Sequence, residues 1–428
     1  MKILTLSGFL GPLFCLETSM ELTVVLGLAI MAVFALTVLY FEGVLGGRRA
    51  VIISCVLVIS AMLVRGAYMG HRTLDYENFL AVWVDFFRNN GGGRALSRSI
   101  GNYNVPYLYF LALFSYCGVP DLYLIKLLSV FFDVVLAWAV LRLVRVCRGG
   151  GFAPAAGFFL TLFLPTVVLN GACWGQCDSI YGAFALLGVC FALERRPVLS
   201  VVCVALSFAF KLQAVFIMPV YLVFLFTGRM KWKHLLVFPL TYFIVVLPAV
   251  ATGRPLLDTL LLYFRQAGSV GDALNYNSSS VFAFVRGDVD RHFFSLLGIA
   301  GAAAFLVLVY VWLFLRRKDV TERALLCCSL LICIGVPFCL PHMHDRYFFI
   351  ADVLALTLAA VVPGMAAVPA LVSFGSLLGY HAYLKMRYLL PMRYGALALV
   401  LAMLLTVFCL DSTLRTPSFL ERKEAKEL

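Results

Sequence analysis

A succession of apolar runs separated by short polar loops leaves this chain very few folds to adopt. They fall near residues 22–42, 50–69, 121–141, 152–170, 178–193, 198–210, 213–228, 234–251, 293–315, 324–340, 347–362, 364–381 and 393–411. A helix needs about 20 apolar residues to cross the hydrocarbon core of a bilayer. Backbone groups in lipid must be satisfied within the protein, which leaves helices or closed barrels. The runs are continuous rather than alternating, which argues against a barrel. The expected fold is an all-α polytopic membrane protein, a bundle of about 11–13 transmembrane helices. Only 13% of residues are charged and 63% are hydrophobic, which excludes an ordinary soluble domain. Residues 105–118 are apolar but short and carry Pro106, which suits an interfacial or re-entrant segment of a long first loop.

The net charge of +12 does not point to nucleic acid, because many of the basic residues sit in short loops. One set of loops holds Arg48-Arg49, then Arg142, Arg145 and Arg148, then Arg195-Arg196, then Arg229, Lys231 and Lys233, then Arg316-Arg317-Lys318. The positive-inside rule places this set in the cytoplasm. The tail Glu421-Arg422-Lys423-Glu424 falls on the same side by span count. The alternate set, 71–104, 171–177, 211–213, 252–292 and 341–346, is then extracytoplasmic. Arg72, Arg88, Arg94, Arg98, Arg254, Arg265, Arg286 and Arg291 break the simple rule there. Such an excess suits either an anionic ligand or lipid headgroups. Lys2 and the short apolar run over 1–20 resemble a weak signal segment without a convincing cleavage site. The 13 cysteines are scattered, mostly inside apolar runs where they act as small hydrophobes, and none has zinc spacing. Cys173 and Cys177 are close enough in sequence to pair.

Every cluster of polar residues falls in the extracytoplasmic set. Asp75-Tyr76-Glu77 follows a span; two carboxylates at a bilayer surface must pair or work. Two residues apart, they do not face each other on a helix but share a side of an extended segment. One can serve as a base while the other orients it or binds a hydroxyl; capping, or a salt bridge to Arg72, is the plainer alternative. Gly91-Gly92-Gly93 reads as a turn. Trp174-Gly175-Gln176-Cys177-Asp178 opens a span. Asp178 is placed to cap it, while Trp174 and Gln176 suit sugar binding. Lys211-Leu212-Gln213 interrupts an apolar stretch, with Lys211 either snorkelling or binding phosphate. Asn275-Tyr276-Asn277 adds Asn277 as a sugar contact. In His342-Met343-His344-Asp345-Arg346-Tyr347, two histidines are a weak metal signature, whereas Arg346 has a planar fork suited to phosphate. No metal site is expected.

Taken together, Asp75-Tyr76-Glu77-Asn78-Phe79-Leu80 with Trp83, Gly91-Gly92, Trp174-Gly175-Gln176-Cys177-Asp178-Ser179-Ile180-Tyr181, Lys211-Leu212-Gln213 and Pro341-His342-Met343-His344-Asp345-Arg346-Tyr347-Phe348-Phe349 resemble the bacterial membrane mannosyltransferases related to GPI mannosyltransferase II. The resemblance covers roughly 50–360 and implies the GT-C class, in which a lipid-phosphate-linked sugar is the donor and an acidic residue stands in the first external loop. Asp75 matches that position best. The resemblance divides the chain into an N-terminal segment with an extra span (1–49), a catalytic core (50–362) and C-terminal helices with a short tail (363–428). Beyond about 362 it reads as generic apolar sequence, so the acceptor does not carry over.

The chemistry expected is transfer of a sugar, mannose by resemblance, from a polyprenyl-phosphate donor to an acceptor hydroxyl. One carboxylate suffices as base, so Asp75 and Glu77 are the catalytic candidates. The leaving phosphate is already an anion and benefits from cations, for which Lys211, His344 and Arg346 are the candidates. Trp174, Gln176, Asp178, Asn277 and His342 are the candidate sugar or acceptor contacts. No cofactor is expected beyond the lipid-linked donor. A transporter or flippase would also be polytopic with cationic patches, but should carry its polar residues near the bilayer midplane. A glycan polymerase or ligase using a lipid-diphosphate donor is the other alternative.

Overall fold

The computed structural model describes residues 22–267 and 271–415. The weak signal segment at 1–20 and the charged tail at 421–424 lie outside the described residues. Among the described residues the only strands are Asn275–Tyr276 and Met343–His344, which pair in parallel; the rest is helices and loops.

Among the described residues eight helices are long and apolar enough to cross a membrane, or nine when Phe152–Phe163 and Pro165–Trp174, bent by 46°, count as one span. Five shorter apolar helices accompany them among the described residues: Val105–Phe114, Asp178–Leu193, Pro197–Phe210, Leu212–Phe226 and Phe349–Val361. By length and composition, eight or nine spans among the described residues fall short of the about 11–13 expected from the sequence, which counted four of the shorter helices as spans. Helices packed inside a bundle need not match the full bilayer thickness, so length alone leaves those four unassigned.

The centre of the bundle is Asp121–Arg148, packed against Phe152–Phe163 and Asp178–Leu193; Asp178–Leu193 packs in turn on Pro197–Phe210. Glu322–Cys339 is buried along most of its length, whereas Leu22–Phe41 and Arg291–Leu315 present mainly exposed apolar side chains. That is the distribution required when the outer surface faces hydrocarbon. Helix starts follow local chemistry. The Asp290 carboxylate accepts from Phe293 N and the Thr321 hydroxyl from Ala324 N, each satisfying a donor that the first turn leaves unpaired. Pro165 and Pro197 stand in first turns, where a missing N–H costs nothing. In the interior, Arg65 and Asp133, both fully buried, form an ion pair at 2.8 Å. Ser179 Oγ also donates to Asp133, and Arg65 also donates to the Leu162 carbonyl, so the pair is satisfied on both sides, as a buried charge must be.

The charged loops converge at one end. Arg145 pairs with Glu42, Arg142 with Glu194 and Arg229 with Glu322. Arg195 donates to the Gly228 carbonyl, Arg148 to the Ala360 carbonyl and Arg323 to the Cys147 carbonyl. Lys126 donates to the Tyr68 and His71 carbonyls and Thr73 to the Trp174 carbonyl at the opposite end, where the motif-bearing loops collect. The charge pattern therefore sorts the loops into two real ends. Four of the eight anomalous arginines of the second end are taken up locally: Arg88 with Asp85, Arg265 with Asp258, Arg98 with the Asn90 side chain, and Arg254 with the Arg98 carbonyl. The twelve described cysteines are all free, so Cys173 and Cys177 are not bonded to each other.

Candidate active site

Asp75 follows the loop after the Arg48–Gly66 helix, in the αR region and immediately before the π-helical turn Tyr76–Leu80. Its carboxylate is the meeting point of the second end. Trp174 Nε1 and Gln176 Nε2 donate to Oδ2 at 2.8 and 2.7 Å. The Tyr383 hydroxyl donates to Oδ1 at 2.5 Å. Arg346 Nη1 lies 3.6 Å from Oδ2. Residues over 300 positions apart in sequence thus share one carboxylate. An ionised carboxylate offers about four acceptor positions; three are filled by neutral donors, which orient the group without discharging it.

Trp174 ends a π-helical turn, Leu169–Trp174, and is followed by Gly175 at φ 77°, a left-handed conformation that lets the chain reverse and send Gln176 back to Asp75. The Trp174 indole is stacked on Tyr383 at 4.4 Å, and the Arg346 guanidinium lies over its ring at 4.6 Å, a cation–π arrangement. Tyr103 donates to Gln176 Oε1 at 3.2 Å; burial pushes the Tyr103 phenol well above its ordinary pKa, so it stays a neutral donor.

Lys211 caps the end of Pro197–Phe210 and turns inward to Asp178, with which it forms a buried ion pair. Asn170 Nδ2 donates to the other Asp178 oxygen at 2.6 Å. Asp178 is therefore not a helix cap, as the sequence suggested: Cys177 holds that position and no side chain caps the turn. The carboxylate finds a cation and an amide instead, a stronger partnership than a cap. The Lys211 charge is already matched by Asp178, so its action on a phosphate runs through that pair.

Arg346 is different. It touches two carboxylates only loosely, at 3.6 Å to Asp75 and 3.5 Å to Asp345. Its Nε and Nη1 are buried and make no hydrogen bond to any described residue. Burial alone would lower its pKa, but Asp178, Asp345, Tyr103 and Asp75 more than reverse that, and it stays charged. Two unused donors on a planar fork beside an oriented carboxylate are a geometry for a bidentate anion.

His344 is stacked on Tyr276 at 4.6 Å with an interplanar angle of 7°. Burial, with Arg346 and Lys211 nearby, lowers its pKa to about 4. It is neutral at physiological pH, which corrects its assignment as a cation: it can offer a hydrogen bond but no charge. Asp345 is pushed up to about 7 by burial, opposed by Arg346. Asn277, at φ 58°, bridges His344 through the backbone and accepts from the Tyr388 hydroxyl at 2.5 Å. His342, at φ 62°, is bound to the Ala273 carbonyl at 2.8 Å and to Ser295 Oγ at 3.3 Å. It braces the loop and is not among the groups around Asp75. Glu77 is exposed and makes no side-chain hydrogen bond or ion pair with a described residue, because the turn that sends Asp75 inward sends Glu77 out. Among the described residues no three His, Cys, Asp or Glu side chains gather as a metal ion would need.

The structure thus brings together Asp75, Trp174, Gln176 and Arg346, with Lys211, Asp178 and His344 beside them, and leaves Glu77 and His342 apart. It adds Tyr383, Tyr103 and Asn170. The tyrosines were legible only as aromatics at the ends of apolar runs, and Tyr383 lies in the stretch beyond 362 that reads as generic.

Residues 102–341 match the profile of glycosyltransferase family 87. The chain belongs to glycosyltransferase family 87. It is a membrane glycosyltransferase of the GT-C type. The matched span takes in Trp174, Gln176, Asp178, Lys211 and Asn277; Asp75, Arg346 and Tyr383 fall outside it. No curated protein matches the chain.

Proposed function

We propose that this family 87 enzyme transfers a sugar, mannose on the resemblance of its motifs, from a polyprenyl-phosphate donor to an acceptor hydroxyl at the extracytoplasmic face. Asp75 is the base. It takes the acceptor proton on the Oδ1 side, where one acceptor position remains beside Tyr383. Arg346 takes the donor phosphate with its unused Nε and Nη1 donors and stabilises it as it leaves. Lys211, held by Asp178, and neutral His344 line the same approach. Trp174 and Gln176 fix the carboxylate and offer an aromatic face and an amide to the sugar. A single displacement with one carboxylate inverts the anomeric centre, in contrast to a retaining pair of carboxylates. The donor's tail remains in the bilayer, which accounts for a site at the mouth of the helices.

One observation carries this reading: a half-buried arginine with two buried, unfilled donors stands 3.6 Å from a carboxylate that three neutral donors already orient. A single phosphate and one hydroxyl complete that arrangement. The orientation rests on the clustering of the cationic loops at the opposite end. Mass spectrometry of lipid bound to the purified protein tests the donor class. The expected species is a polyprenyl monophosphate or its glycosylated form. Recovery of lipid diphosphates alone would favour a polymerase or ligase instead.

A further inference from the structure

A second polar cluster lies inward from the active site. Asp352 sits one turn into the Phe349–Val361 helix and is fully buried. Ser376 and Ser373, from Ala367–Leu384, and Thr166, from the broken span at Pro165, approach its carboxylate. Thr166 is fully buried, Ser376 is 2% exposed and Ser373 is 8% exposed. The three hydroxyls reach the carboxylate, yet none of these five oxygens is seated in a well-aligned hydrogen bond to a described residue. Five oxygens gather inside a membrane bundle, with three hydroxyls as the carboxylate's partners among the described residues.

Such a group is not filler. An ionisable side chain within a membrane helix bundle pairs, conducts or binds, and buried polar atoms without partners point to an unseen water or ion. Among the described residues no ion pair to Asp352 is formed: Arg65 is committed to Asp133, and Lys211 to Asp178. The donors are all oxygen, which selects hard cations over transition metals. One carboxylate supplies a single negative charge. That matches a monovalent ion and falls short of what a divalent site gathers. Thr166 also stands at the 46° bend between Phe152–Phe163 and Pro165–Trp174, and broken helices free backbone carbonyls for ions of this kind.

We propose that Asp352, Thr166, Ser373 and Ser376 form a binding site for one alkali-metal cation inside the bundle. The ion ties three helices together. One of them, Ala367–Leu384, carries Tyr380 and Tyr383 to the active site; another, Pro165–Val168, leads directly into the turn that carries Trp174. The site is therefore structural support for the aromatic wall around Asp75, separate from the donor phosphate.

The full chain, purified in detergent, tests this with sodium, potassium and N-methyl-D-glucamine chlorides at equal ionic strength. Thermal unfolding and equilibrium binding of radiolabelled sodium or rubidium are the readouts. Sodium or potassium should raise the melting temperature saturably, with one ion bound per chain, and N-methyl-D-glucamine should not. Asp352→Asn should weaken binding by at least about tenfold, because a neutral amide loses the charge-assisted contact. If Asp352→Asn does not fold, the Ser373→Ala, Ser376→Ala double variant decides, with weaker binding expected. Equal stabilisation by all three salts, or ion binding unchanged in the variants, would overturn the site and leave Asp352 a neutral acid bonded to water.

Discussion

Replacing Asp75 by Asn separates the base from the scaffold. The carboxylate accepts three hydrogen bonds, from Trp174, Gln176 and Tyr383. Bonds to a charged group are worth about 1.5–3 kcal/mol each and neutral ones about 0.5–1.5. Asn keeps one oxygen for Trp174 and Gln176, and its amide can donate to the Tyr383 hydroxyl. Each bond then falls by about 1 kcal/mol, or about 3 kcal/mol in all. The variant should melt a few degrees lower and still fold. Asp75→Ala leaves buried donors unpaired and should lose more stability. Catalysis behaves differently, because Asn cannot take a proton: turnover at saturating donor should drop by about two to four orders of magnitude. Donor affinity, measured separately on the same preparation, should stay close to wild type. The assay is release of polyprenyl phosphate under single-turnover conditions. A folded Asp75→Asn protein with near-wild-type turnover would remove Asp75 from the chemistry. Glu77→Gln should change little, since Glu77 is exposed and stands apart from the cluster.

Arg346→Ala should weaken donor binding by roughly 1.5–3 kcal/mol, with Arg346→Lys recovering only part because the planar fork is lost; unchanged affinity in a titration would exclude Arg346 as the phosphate ligand, and activity should survive exhaustive EDTA treatment. The described native cysteine that is exposed is Cys117, at the active-site end. In a background lacking Cys15, an impermeant thiol reagent should label Cys117 on intact cells, and cysteines placed at Lys231 or Lys318 after Cys117→Ser should stay unlabelled; the reverse pattern would invert the topology. Asp345 in the folded protein titrates at about 7 against an ordinary value of 3.8. The folded state therefore binds more protons between those values, and this group's contribution to stability is present at low pH and lost as pH rises towards 7. Asp345→Asn should accordingly gain melting temperature relative to wild type as pH is raised from about 5 to 8; a difference independent of pH would contradict the burial of that carboxyl.

The helical, many-pass architecture was legible because hydrocarbon leaves the backbone so little choice, and the basic loops marked one end before any contact was known. Asp75, Trp174, Gln176 and Arg346 were legible as polar residues at the mouths of spans, where a charge without a purpose is too costly to keep. What the sequence hid was direction. Asp75 and Glu77 are two residues apart and equally acidic, and only the π-helical turn shows that one points in and the other out. His342 and His344 look alike in sequence, yet one braces a loop through Ala273 and Ser295 while the other stacks on Tyr276. Asp178 looked like a helix cap because its partners, Asn170 and Lys211, come from other elements. Tyr383 gave no signal, because a tyrosine near a helix end is equally at home at any membrane interface.

The most direct test is to supply the purified enzyme with polyprenyl-phosphate-mannose and with a polyprenyl-diphosphate glycan, each in the presence of an extract of envelope glycolipids, and to follow mannose transfer and the anomeric configuration of the product. The account predicts consumption of the monophosphate donor only, release of polyprenyl phosphate, and an inverted anomeric centre in the product. Transfer from the diphosphate donor, or a product that retains the donor's configuration, would contradict it.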